Sequence, residues 1–147
     1  MQFNTFTYVS LWSDISTWGN TFTPVEGESI HIPKGMNLLV DIDVSPKLNL
    51  VIVEGGQLIF APDDDNPNHE RKFDANYIFI HDGWMQVGTE ARPYTSKLVI
   101  TLHGQKYDPS MPLYGNKCIG VRDGILDMHG APRSHSWTSL EETAIAG

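Results

Sequence analysis

Two short polar pairs, His81-Asp82 and Arg122-Asp123, each stand directly before a glycine, and Asp127 and His129 follow the second pair closely. Carboxylates beside a basic group can trade protons with a glycosidic oxygen. A guanidinium such as Arg122 can also grip the carboxylate of an acidic sugar through two parallel hydrogen bonds. Arg122, Asp123, Asp127 and His129 are therefore the candidate catalytic residues. His81, Asp82, Trp84 and Arg122 are the candidate ligand-binding residues. A plainer role competes for the aspartates: Asp-Gly is a common turn dipeptide, and an aspartate there can hold backbone N–H groups.

Two further clusters carry chemistry. His103-Gly104 and His129-Gly130 repeat a histidine before a glycine, and two imidazoles completed by Asp127 would suit zinc or a similar ion. The competing reading is a structural imidazole bonded to a neighbouring carbonyl. Asp63-Asp64-Asp65-Asn66, with Asn68 and Glu70, gathers hard oxygen donors. Such donors suit Ca2+, with Asp63, Asp65 and Glu70 as ligands. The run lacks the EF-hand spacing and its sixth-position glycine, so a solvated acidic loop accounts for it better.

The elements that must position these residues follow one template. Residues 51–60, 78–87 and 119–128 each read apolar-x-apolar-polar-(Gly/Asp)-Gly-x-apolar-x-apolar. Alternation on both sides of the glycine predicts two short strands, each with one buried face. The glycine predicts a bend that needs positive φ or lacks room for a Cβ. Copies starting at 51, 78 and 119, with Leu98–Leu102 between the last two, predict stacked coils that bury a shared apolar column. Glu54, His81 and Arg122 would then form one ladder, and Gly55, Asp82 and Asp123 the next. Trp84 would occupy the outward position shared with Gln57 and Ile125. The two His-Gly ends predict a second repeated corner.

The fold class is therefore all-β. Short strands stack as a parallel β-helix-like solenoid or form a β-sandwich, with at most one short helix. Residues 1–10 read as a lead-in and 11–147 as one domain. The aromatic stretch from Leu11 to Pro24 should cap one end. Pro62 to Asp74 should be an excursion loop, and Gly104 to Asn116 a second one. Trp137 to Leu140 could add a last strand. A formal net charge of −8 with no basic cluster argues against nucleic-acid binding. Cys118 is the only cysteine, which excludes an intrachain disulfide. No apolar run is long enough to span a membrane as a helix.

Several strings together resemble a known family. They include Leu11-Trp12-Ser13-Asp14, Thr17-Trp18-Gly19, Ile32-Pro33-Lys34-Gly35, Gly55-Gly56-x-Leu58-Ile59-Phe60 and Gly124-Ile125-Leu126-Asp127-Met128-His129-Gly130. In their order they resemble the eight-glycine extracellular domain, as found in fibrocystin-like receptors and in a hyaluronan-binding protein that induces cell migration. The resemblance implies a module of a large secreted or single-pass membrane ectodomain beside β-helix domains of the parent chain. Its partners would be extracellular proteins or glycans, and a membrane would be met only through the parent's anchor. The expected function is a non-catalytic binding or structural module, with no required cofactor unless Ca2+ binds the acidic run. The alternative is part of a glycoside hydrolase acting on hyaluronan or another glycan.

Overall fold

The computed structural model describes residues 7–63, 66, 68–135, 137 and 139. The strands are β1 (Ser10–Leu11), β2 (Ile30–Pro33), β3 (Asn37–Leu39), β4 (Leu48–Glu54), β5 (Gln57–Phe60), β6 (Glu70–His81), β7 (Trp84–Val87), β8 (Lys97–Leu102), β9 (Cys118–Arg122) and β10 (Ile125–Met128). They alternate between two sheets. One runs β1-β3-β5-β7-β10, and the other runs β2-β4-β6, with β8 and β9 both paired to β6. Every pairing between these strands is parallel. Parallel neighbours cannot be joined by a hairpin. The chain instead crosses from one sheet to the other at each turn and comes back one level along the stack.

The repeat register is the one the template requires. Val51 pairs with Ile78, and Ile78 with Ile119. Gln57 pairs with Trp84, and Trp84 with Ile125. Alternation then sends one face of each strand inward. Ile32, Val51, Val53, Ile78 and Ile80 come from one sheet, and Leu38, Leu58, Phe60 and Met85 from the other; all are fully or almost fully buried. Burying each such side chain contributes about 1.5–3 kcal/mol relative to exposure. The column thins at the last level: Leu126, stacked on the fully buried Met85, is 40% exposed.

In β6 the buried positions run Arg71, Phe73, Ala75 and then Ile78, Ile80. The step from 75 to 78 breaks the period of two, so the strand bends at Asn76-Tyr77. β8 pairs with the half before the bend, and β9 with the half after it. The separation between the second and third repeat copies therefore holds one level rather than two. β8 and β9 are halves of a single interrupted strand.

The acidic segment departs from expectation. Residues 70–74 belong to β6 rather than to a loop. Their alternation was masked because one of the inward side chains is charged. Arg71 is 7% exposed, and its guanidinium donates to the carbonyls of Ile42 (2.9 Å) and Ala61 (3.1 Å) and to the Tyr94 hydroxyl (3.2 Å). At the other end of the chain, Trp12 is buried edge-on against Trp18 and Phe73, with ring centroids 5.1 and 5.8 Å apart. A 3-10 turn, Ile15–Trp18, holds Trp18 there. It opens on Asp14, whose carboxylate accepts from the Ser16 N–H at 2.9 Å. Trp137 is exposed and lies outside any strand; Thr138 and Leu140, in the anticipated last strand, lie outside the described residues.

Candidate functional site at the glycine corner

The turn between the two sheets repeats at Gly55-Gly56, Asp82-Gly83 and Asp123-Gly124. Its two positions have different demands. The first is left-handed in all three, with φ of 70°, 50° and 53° at Gly55, Asp82 and Asp123. Glycine and, less readily, aspartate tolerate that region. The second needs glycine for space. A Cβ on Gly56 would meet the Pro33 carbonyl at 2.5 Å, one on Gly83 the Val53 carbonyl at 2.7 Å, and one on Gly124 the Gly83 carbonyl at 2.9 Å. Each turn rests directly on the one before.

The stacked turns form the floor of an open groove of about 350 Å³. Gln57, Trp84, Asp82 and Asp123 line it together with the turn glycines. Trp84 is 38% exposed, as its outward register position requires. Asp82 donates its backbone N–H to the Arg122 carbonyl at 3.1 Å. Among the described residues its carboxylate has no hydrogen-bond or ion-pair partner, so the turn is held by backbone geometry and not by that side chain. Arg122 and Asp123 form a loose, exposed pair at 3.7 Å (Nε to Oδ2).

The ladder below the turn is also assembled. Glu54 pairs in register with His81, and His81 with Arg122. The Glu54 carboxylate lies 2.9 Å from His31 Nε2 and 3.8 Å from His81 Nδ1. The His81 ring stacks at 9° on Phe79, with centroids 6.0 Å apart. His31 and Phe79 are members that the sequence reading missed. The His31 position, two residues before the ladder site, was the available signal.

The structure does not bring every candidate together. Asp127 and His129 form their own pair (Oδ1 to Nε2, 2.8 Å) at the far end of β10. Asp123 sits in the turn, whereas Asp127 lies beyond Ile125 and Leu126 within β10. The expected second corner does not form. His103 follows β8 in one sheet, and His129 follows β10 in the other. His103 Nε2 is 2.7 Å from Asp74 Oδ1, so each histidine has its own carboxylate and the two do not converge on a metal. Among the described residues, no three His, Cys, Asp or Glu side chains are placed to hold an ion.

The acidic run is likewise engaged. Asp63 Oδ2 lies 3.1 Å from His69 Nδ1, and Asp43 Oδ1 lies 2.8 Å from the other ring nitrogen. Glu70 accepts from Lys97 and pairs with Lys72 at 3.2 Å. These two lysines, Lys97 first, hold its carboxyl below the ordinary carboxylate range. Asp65 lies outside the described residues.

Comparison with known proteins decides the family. Residues 17–141 match the model of the G8 domain. The chain belongs to the G8 domain family. Fibrocystin-L from Homo sapiens is 42% identical over 142 residues, covering 97% of this chain and 3% of that protein. Fibrocystin from Canis lupus familiaris is 34% identical over 137 residues, covering 92% and 3%. Cell surface hyaluronidase CEMIP2 from Homo sapiens is 41% identical over 97 residues, covering 65% of this chain and 7% of that protein. This G8 domain thus spans about 3% of the length of the fibrocystin relatives.

Proposed function

We propose that this G8 domain is a non-catalytic binding and structural module of a larger extracellular or cell-surface chain, and that the glycine corner is the surface it presents to a protein or glycan. One observation carries the reading: an exposed Trp84 and an Asp82 carboxylate with no partner among the described residues line one groove with the bare backbone of the turn glycines. Aromatic faces and free acceptors at a rigid, concave place are what ligand sites use. The stacked turns hold them without a mobile loop. The relatives, among them a cell surface hyaluronidase, support the extracellular setting.

A second reading has one observation in its favour, the match to that hyaluronidase. Here the domain would form part of a glycan-degrading site, with Arg122, Asp123, Asp127 and His129 of the last level as its contribution. The separation of Asp127 and His129 from the corner weighs against all four acting on one bond. Incubating the domain with labelled long-chain hyaluronan tests both readings. Binding that falls with Trp84→Ala, at constant chain length, supports the module. Chain shortening abolished by Asp127→Asn supports the enzyme.

A further inference from the structure

The bend in β6 is a second place where side chains of successive levels line up. Asn49 stands opposite Asn76, between the paired neighbours Leu48–Ala75 and Leu50–Tyr77. His103 follows on the next level, its N–H donating to the Ala75 carbonyl at 2.9 Å. Asn76 Nδ2 donates to Asn49 Oδ1 at 3.4 Å, and Asn49 Nδ2 donates to Ser29 Oγ at 3.2 Å. β4 and β6 cross the bend without interruption. On the last level the chain swings out over residues 103–117 before β9 resumes.

Long excursions without a strand or helix of their own are uncommon in compact domains, and most serve a function. This one is tied back to the sheet. The Tyr77 hydroxyl donates to the Pro109 carbonyl. The Gln105 N–H donates to Asp108 Oδ2 at 2.6 Å, and the Met111 N–H to the Gly115 carbonyl at 2.7 Å. Leu113 and Lys117 hold φ of 71° and 55°, a region unfavourable for residues with side chains. Between loop and bend lies an open bowl of about 530 Å³, larger than the corner groove.

We propose that this bowl binds a neutral sugar residue. A pyranose has hydroxyl-bearing edges and an apolar C–H face, and the lining matches both. Asn76, His103 and Asp108 supply polar groups to the lining, and Tyr77 and Met111 apolar surface. An amide donates and accepts at once, which suits neighbouring hydroxyls; among the described residues the Asn76 carbonyl oxygen accepts no hydrogen bond. His103 commits Nε2 to Asp74, and among the described residues its Nδ1 has no hydrogen-bond partner. Tyrosine and methionine give a broad, polarisable surface for C–H groups. One cationic and one anionic side chain, Lys47 and Asp108, are among the lining residues, so the bowl has no charge excess of its own to favour an ion.

The test uses the 147-residue domain and a panel of short neutral oligosaccharides of hexose and N-acetylhexosamine, with hyaluronan oligosaccharides as the anionic control. Amide chemical shifts locate any binding. The expected result is that a neutral probe shifts resonances in 103–117 and around Asn49 and Asn76, while the anionic control does not. Asn76→Ala and Asp108→Asn should each weaken that probe by about tenfold or more, and Trp84→Ala should leave it unchanged. If Asn76→Ala unfolds, the half-buried Asp108→Asn and the shift map decide. No shifts at this bend with any neutral probe, or shifts insensitive to Asp108→Asn, would overturn the proposal. Loss through Trp84→Ala would also overturn it, placing the ligand at the glycine corner. So would a protein ligand at the bend that neutral sugars fail to displace.

Discussion

Gly83 shows how little freedom a single position has in a stacked turn. Any side chain there meets the Val53 carbonyl and Val53 Cγ1, at 2.7 and 2.9 Å, and neither is the end of a flexible chain. Gly83→Ala should therefore destabilise the domain by about 1–3 kcal/mol, the usual cost of overpacking, measured by urea denaturation. Asp82 is the opposite case. Its φ of 50° strains a side chain, so Asp82→Gly should keep the stability and Asp82→Val should lower it. If ligand binding falls in Asp82→Gly at unchanged stability, the free carboxylate is functional. This division of labour was half legible in the sequence. The glycine template located the turn, but two explanations for glycine were open. Only the stacking assigns space to the second position and φ to the first.

Among the elements, the interrupted last strand and the start of β6 depart most from the sequence reading. Both failures have a physical cause. Parallel pairing lets two short strands share one long neighbour, and spacing along the chain cannot tell a long level from two levels. At β6, a buried arginine broke the polar–apolar alternation on which the strand reading relies. Arg71 ties β6 to the connections at Ile42 and Ala61 and to Tyr94. Arg71→Ala should cost about 1–3 kcal/mol for each partner left buried and unpaired, again read by denaturation.

The β6–β8 edge also carries a pH dependence. The Glu70 carboxyl is depressed chiefly by Lys97 and then by Lys72. A depressed carboxyl contributes stability above its unfolded-state pKa and loses it as pH falls through the lower folded value. The pair is solvent-exposed, so the contribution is small. Glu70→Gln should slightly lower the melting temperature at neutral pH and converge with the parent in acid. The same engagement of Glu70 by two lysines and of Asp63 by His69 predicts no saturable heat when the domain is titrated with Ca2+ by calorimetry.

Across the whole molecule, the stack is a rigid ruler that displays side chains at one strand spacing, about 4.8 Å. Its register, Val51–Ile78–Ile119 and Gln57–Trp84–Ile125, was readable from the repeat alone, because a period of two with a fixed glycine leaves few alignments. The surface was less readable. His31, Phe79 and the bowl at the bend depend on which strands become neighbours, and the chain order does not state that. The corner ladder came out as read, whereas Asp127 and His129 fell at the opposite end of β10, a distance that their closeness in sequence concealed.

The most direct test is incubation of the domain with labelled long-chain hyaluronan, with and without Ca2+, following chain length and binding together. A non-catalytic module predicts chains of unchanged length in both conditions, with any retention reduced by Trp84→Ala. Chains that shorten with the parent domain and stay intact with Asp127→Asn would contradict the account and make the last level a catalytic surface.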